Sequence, residues 1–101
     1  MAFHAYVYTC TQVNVEWDAR KAASNFRKHG IRFPDVVSAL EDPQALTIAD
    51  ESHGEERWVT IAMDALARIV VVVWTPRGRN IRIISARTAT AREQASYLEG
   101  A

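Results

Sequence analysis

The sequence predicts a single α+β domain in which an antiparallel β-sheet carries an N-terminal helical hairpin on one face and is followed by a C-terminal helix. Three observations predict it. Two stretches with helical spacing of apolar residues come early, between positions 18 and 42. Four stretches with strand periodicity or β-branched composition follow between positions 45 and 86, separated by short turns. A helix-opening pattern then stands at Thr90-Ala91-Arg92-Glu93. With 101 residues there is room for one domain, residues 1–101, and the hydrophobic fraction of 49% is enough for a core.

The elements are justified in order. Residues 1–12 have strand-like composition at Tyr6-Val7-Tyr8 without a partner pattern, and read as an extra strand or a loose tail. Val13-Asn14-Val15-Glu16-Trp17 alternates apolar and polar, the mark of a half-buried strand. Asp18 offers a capping carboxylate to a helix reaching Lys28, with Ala19, Ala22, Ala23 and Phe26 as its inner face. Gly30 supplies a left-handed stop. Pro34 and Asp35 suit the first turn of a second helix, and Phe33, Val36, Val37 and Leu40 keep helical spacing up to the Asp42-Pro43 stop.

Strands are expected over residues 45–50, 57–63, 68–75 and 81–86, with turns at Ser52-His53-Gly54, Asp64-Ala65 and residues 76–80. In the last helix Ala91, Ala95 and Leu98 are expected to face inward. Consecutive strands joined by short turns favour antiparallel pairing.

Composition excludes several classes. The longest apolar run, residues 69–74, is far shorter than the roughly 20 residues a bilayer demands. The first dozen residues lack the pattern of a secretory leader, and the single Cys10 cannot make an internal disulfide. A reducing cytoplasm is the expected compartment. No Cys/His spacing suits zinc, so neither metal nor cofactor is expected.

Net charge is zero, but its distribution is uneven. Between positions 65 and 92 stand Arg68, Arg77, Arg79, Arg82, Arg87 and Arg92, with no Asp or Glu. A neutral protein with one cationic surface can bind a polyanion locally. The alternative is a set of scattered solubility charges.

Two stretches stand out as motifs. The first is Glu16-Trp17-Asp18 with Lys21, Asn25, Lys28-His29-Gly30-Ile31 and Phe33. The second is Val71 to Trp74, Arg77, then Arg82-Ile83-Ile84-Ser85-Ala86-Arg87 with Glu93 and Tyr97. Between them stands His53-Gly54-Glu55-x-Arg57, and the three together resemble the BrnT family of small bacterial ribonuclease toxins. The resemblance spans about residues 13–98; the extension to Gln12 and the neutral charge depart from it. It implies a RelE-like fold and a toxin that cleaves RNA. It further implies neutralisation by a cognate BrnA-like, DNA-binding antitoxin, with operator DNA contacted only through that antitoxin.

RNA cleavage without a metal uses the substrate's 2′-hydroxyl as nucleophile, and the enzyme must move protons and stabilise the phosphorane. Arginine suits the second task because its planar fork binds two phosphate oxygens and stays charged. Arg77, at a turn, and Arg87, at a strand end, are the expected catalytic phosphate ligands, and Arg82, Lys28, Arg57 and Arg79 the expected RNA contacts. For each arginine the competing role is a solvated surface charge or an ion pair with Glu93. Strand alternation separates Arg82 from Arg87, so either a bulge intervenes or Arg87 lies past the strand end. His29 is the expected proton-transfer group, since histidine is the side chain best suited to moving protons at neutral pH, with helix capping as its other role. Glu55 or Glu56 can orient a base, or simply be exposed beside the turn that holds His53.

Trp17, Trp58 and Trp74 are candidates for base stacking, with core packing expected for at least two; packing is also expected for Tyr97. The second functional reading is a non-catalytic module whose arginine face docks an acidic protein.

Overall fold

The computed structural model describes residues 5–10, 13–51 and 54–100. The predicted turn residues Ser52 and His53 lie outside them. The elements are strands β1 (Ala5–Cys10) and β2 (Val13–Asp18), helices α1 (Ala19–His29) and α2 (Phe33–Val36), a 3-10 turn (Ser38–Glu41), strands β3 (Leu46–Asp50), β4 (Arg57–Met63), β5 (Ile69–Arg77) and β6 (Asn80–Thr88), and helix α3 (Ala91–Gly100). The strand and helix order is the one read from the sequence, with β1 as the extra strand.

All six strands join one sheet in the order β1-β2-β6-β5-β4-β3. Four of its five pairings are antiparallel, but β2 runs parallel to β6 through Val15 opposite Ile81 and Glu16 opposite Arg82. The sheet is therefore mixed, which corrects the all-antiparallel expectation. Short turns dictate direction only between consecutive strands, and β2 meets β6 across most of the chain.

The helix-side face of the sheet holds the core. Val15, Trp17, Ala62, Val70, Val72, Ile83 and Ala86 are buried there against Ile31, Phe33, Val36 and Ala39. Trp17 meets Phe33 edge-on at 6.1 Å. Trp58 and Trp74 stack at 6.1 Å, with the Trp74 indole N–H donating to the Thr60 hydroxyl.

The caps at both ends of α1 form as predicted. Asp18 accepts from the Arg20 amide at 2.8 Å, and Gly30 closes the helix at φ 72°. Its inner face differs. Ala19 and Ala22 are half-buried, whereas Ala23 and Phe26 are exposed. The buried residue is Asn25. Its side-chain amide donates to Ala86 O at 2.8 Å and to Ile31 O at 3.1 Å, and its oxygen accepts from Ala86 N at 3.0 Å. The β2–β6 ladder covers only Ile81 and Arg82 of β6, so further along that edge Asn25 replaces the missing neighbouring strand. These bonds set the roll of α1 and leave Phe26 outside, under the Arg32 guanidinium at 4.2 Å from its ring.

The second arm of the predicted hairpin is not one continuous helix. After Val36 the chain tightens, with Leu40 N donating to Val37 O and Asp42 N to Ala39 O, one residue closer than in an α-helix. Phe33, Val36 and Ala39 are fully buried at a spacing of three, which is the period of that tighter winding.

Thr90 and Glu93 form the predicted capping box, each side chain accepting from the other's amide. The inward residues of α3 are not those expected, because Ala91, Ala95 and Leu98 are exposed. Tyr97 is buried and donates to Asp42 at 2.5 Å, while Glu93 holds Arg87. These two polar ties choose which face of α3 turns inward, and they override the small apolar residues. Burial pushes the Asp42 carboxyl up, but hydrogen bonds from Met63 N, Tyr97 and Gln44 N outweigh it and hold it below its usual range. No helix among the described residues is long and apolar enough to cross a membrane.

Candidate nucleic-acid interface

The hairpin from β5 to β6 builds the centre of the site. Arg77 pairs with Asn80, so Gly78 and Arg79 alone make the loop. Gly78 stands first in it at φ 62°, a conformation that glycine adopts without steric penalty. β5 extends through Pro76 to Arg77, two residues beyond its predicted end, so Arg77 is carried on a strand rather than a loose turn.

The register decides where the arginines face. Residues directly opposite in an antiparallel pair share a face. Thr75 stands opposite Arg82, Trp74 opposite Ile83, and Val73 opposite Ser85. Ile84 is the extra residue of a β-bulge. The bulge shifts the alternation by one, so Arg82, Ser85 and Arg87 share the face of Thr75, Val73 and Val71. This is the face away from Ile83, Ala86 and the core. Arg77 and Arg57 share it by alternation from Thr75.

That outer face is divided in two. At one end α3 packs against β4, its Gly100 lying close to Leu46. Val71, facing that way, is buried. At the other end Arg57, Arg77 and Arg82 line a concavity of about 310 Å³, together with Lys21, Glu55, Thr75, Pro76 and Ile84. The cations arrive from four elements: Lys21 from α1, Arg57 from β4, Arg77 from β5 and Arg82 from β6. Arg57 Nε donates to Glu55 at 2.7 Å. That bond and the Arg57 charge hold the Glu55 carboxyl below its usual range, with further pull from Lys21 and Arg82.

The ends of the acid-free segment are neutralised by the acids that bound it. Arg68 pairs with Asp64 at 2.8 Å. Arg87 forks onto Glu93, Nη1 to Oε1 at 2.8 Å and Nη2 to Oε2 at 2.9 Å. The pair raises the Arg87 pKa and lowers that of Glu93 to about 2.

The structure thus brings together three of the predicted residues, Arg77, Arg82 and Arg57. Arg87 shares their face but is outside the concavity. Lys28 and His29 are exposed at the C-terminal end of α1, and Arg79 is exposed at the tip of the hairpin. Lys21 received no role from composition or spacing; only its place in the family-like motif singled it out. Trp17 is a core residue, and Trp58 and Trp74 are half-buried.

A small α+β domain with a cationic hollow at one end of its sheet suits a protein that handles phosphate polymers. The model of the ribonuclease toxin of type II toxin-antitoxin systems, BrnT, matches residues 17–93. The chain belongs to this BrnT family. Its fold is similar to the crystal structure of the Brucella abortus ribonuclease toxin BrnT, with a TM-score of 0.60 and 27% identity over 73% of this chain and 92% of that one. No curated protein matches the chain.

Proposed function

We propose that this toxin cleaves RNA internally, without a metal ion, on the face that carries the cationic concavity. The observation behind this reading is the convergence of Lys21, Arg57, Arg77 and Arg82 on one hollow from four separate elements. A phosphodiester held there has its charge neutralised from several sides, and the same groups stabilise the additional charge of the phosphorane. Arg77 and Arg82 are the principal phosphate ligands, with Arg57 and Lys21 beside them. Arg79 at the hairpin tip, and Lys28 with His29 at the end of α1, meet RNA outside the hollow. Arg87, gripped by Glu93, is a positioning residue that ties β6 to α3. The domain is RelE-like and acts in the cytoplasm, where its substrate is. A BrnA-like, DNA-binding antitoxin silences it by covering the cationic face and links it to operator DNA.

The test is cleavage of end-labelled RNA by the purified protein in EDTA, together with growth after induction. Wild type is expected to cut and to arrest growth. Arg77→Ala and Arg82→Ala are expected to lose both while keeping their helix and sheet signals. Full toxicity in the double variant sinks this assignment of the site.

A further inference from the structure

The cationic hollow contains one acid. Among the described residues that line it, Glu55 is the only carboxylate, set among Lys21, Arg57, Arg77 and Arg82. Its place needs a reason, because a carboxylate there repels the phosphate that the four cations attract. If Glu55 served only solubility, any other exposed position would serve as well. A group that must take a proton from the substrate, in contrast, has to stand beside the bound phosphodiester.

We infer that Glu55 is the proton acceptor for the 2′-hydroxyl during RNA cleavage. This rests on the phosphate-binding reading of the same hollow. The 2′-O–H bond breaks and its proton goes to a carboxylate oxygen of Glu55. The 2′-oxygen forms a bond to phosphorus as the bond from phosphorus to the 5′-oxygen breaks. The departing 5′-oxygen takes a proton from water, and Glu55 returns its own proton to solvent. The products are a 2′,3′-cyclic phosphate and a 5′-hydroxyl, so atoms and charge balance with no other reactant.

The surroundings suit the role. Arg57 Nε holds one carboxylate oxygen at 2.7 Å, which orients the group. A carboxylate is already ionised at neutral pH and can accept a proton; the Arg57 bond and the Arg57, Lys21 and Arg82 charges lower its basicity, so what the neighbours contribute is its position beside the bound phosphate. The groups facing it are Lys21 of α1, Arg57 of β4, Arg77 of β5 and Arg82 of β6. On its other side a second hollow carries Asp50, Glu51 and Glu56. Glu56 does not line the cationic hollow; its carboxylate accepts from the Trp58 indole at 3.2 Å.

The experiment measures single-turnover cleavage of a labelled RNA oligonucleotide in EDTA, and binding of the same RNA by fluorescence anisotropy. Glu55→Gln, Glu55→Asp and Glu56→Gln are compared with wild type. For Glu55→Gln the cleavage rate of bound RNA is expected to fall about 100-fold or more. Its RNA affinity is expected to be equal or higher, since a negative charge leaves the hollow. Glu55→Asp should recover part of the rate, and Glu56→Gln should match wild type. Cleavage by Glu55→Gln within about threefold of wild type, or a loss explained wholly by weaker binding, overturns the assignment. In either case weakened binding by Arg77→Ala leaves the phosphate site standing. Unchanged RNA binding in both Arg77→Ala and Arg82→Ala overturns the site, and the role of Glu55 with it.

Discussion

Asn25 and Ala86 are joined by a reciprocal pair of hydrogen bonds, amide to carbonyl at 2.8 Å and backbone N–H to side-chain oxygen at 3.0 Å, across 61 positions of sequence. The Asn25 side chain behaves here as a fragment of a strand laid against the open edge of β6. It also fixes α1 over the core. Replacing it leaves a buried N–H and a buried C=O on β6 without partners. Asn25→Ala is expected to destabilise the fold by about 2–4 kcal/mol. Asn25→Asp, which keeps the acceptor and loses the donor, should cost a comparable amount at neutral pH. Urea unfolding followed by circular dichroism measures both, and a loss under about 1 kcal/mol for Asn25→Ala contradicts the role.

The Arg87–Glu93 pair makes stability depend on acid. The Glu93 carboxyl lies at about 2 in the folded protein, against an ordinary value of 4.5. A depressed carboxylate stabilises the fold above its unfolded pKa, and the contribution drains away as pH falls from about 4.5 to about 2. Arg87 is 40% exposed, so solvent screens the pair and its worth is about 1 kcal/mol. Glu93→Gln should therefore lower stability by about that amount at pH 7, with the gap to wild type closing across this window. A gap that persists unchanged below it means that the effect of the substitution does not come from the ionised carboxylate.

RNA binding should carry the signature of phosphate neutralisation. Each cation that contacts a phosphate adds about 0.7 to the slope of log affinity against log salt for a single strand. Arg77→Ala and Arg82→Ala are each expected to reduce that slope by about 0.7, with little dependence on RNA sequence. Because Arg77 is exposed, its replacement should leave thermal stability nearly unchanged. A slope equal to wild type in both variants removes them from the interface.

Gly78 holds the hairpin that carries Arg77 and Arg82. A Cβ added there meets no atom within 4 Å, so any penalty comes from its φ of 62° rather than from a clash. Gly78→Ala is expected to cost about 1 kcal/mol, seen as a lower urea midpoint with unchanged slope. A neutral result means that the loop has found another turn geometry.

Local signals were legible without any structure. The alternation at Val13-Asn14-Val15-Glu16-Trp17, the β-branched run from Val70 to Val73, the Asp18 and Gly30 caps and the Thr90/Glu93 box each depend on neighbours within a turn or a strand. The acid-free segment and the family-like motifs pointed to Arg77, Arg82 and Arg57, which do share one hollow. Apolar spacing gives only half of the inner face of α1, Ala19 and Ala22 but not Ala23 and Phe26, and misses that of α3, because the polar ties of Asn25, Glu93 and Tyr97 set the roll of each helix.

Periodicity, capping and turn chemistry act over a few residues, so the kind and order of the elements, and the family they spell, follow from the chain alone. The tertiary structure alone decided that β2 runs parallel to β6, that a bulge at Ile84 turns Arg82 and Arg87 to one face, and that Lys21 and Glu55 join Arg57, Arg77 and Arg82. Those outcomes depend on pairing between segments distant in the chain. There a shift of one residue reverses every side chain, and only the packed sheet selects the register.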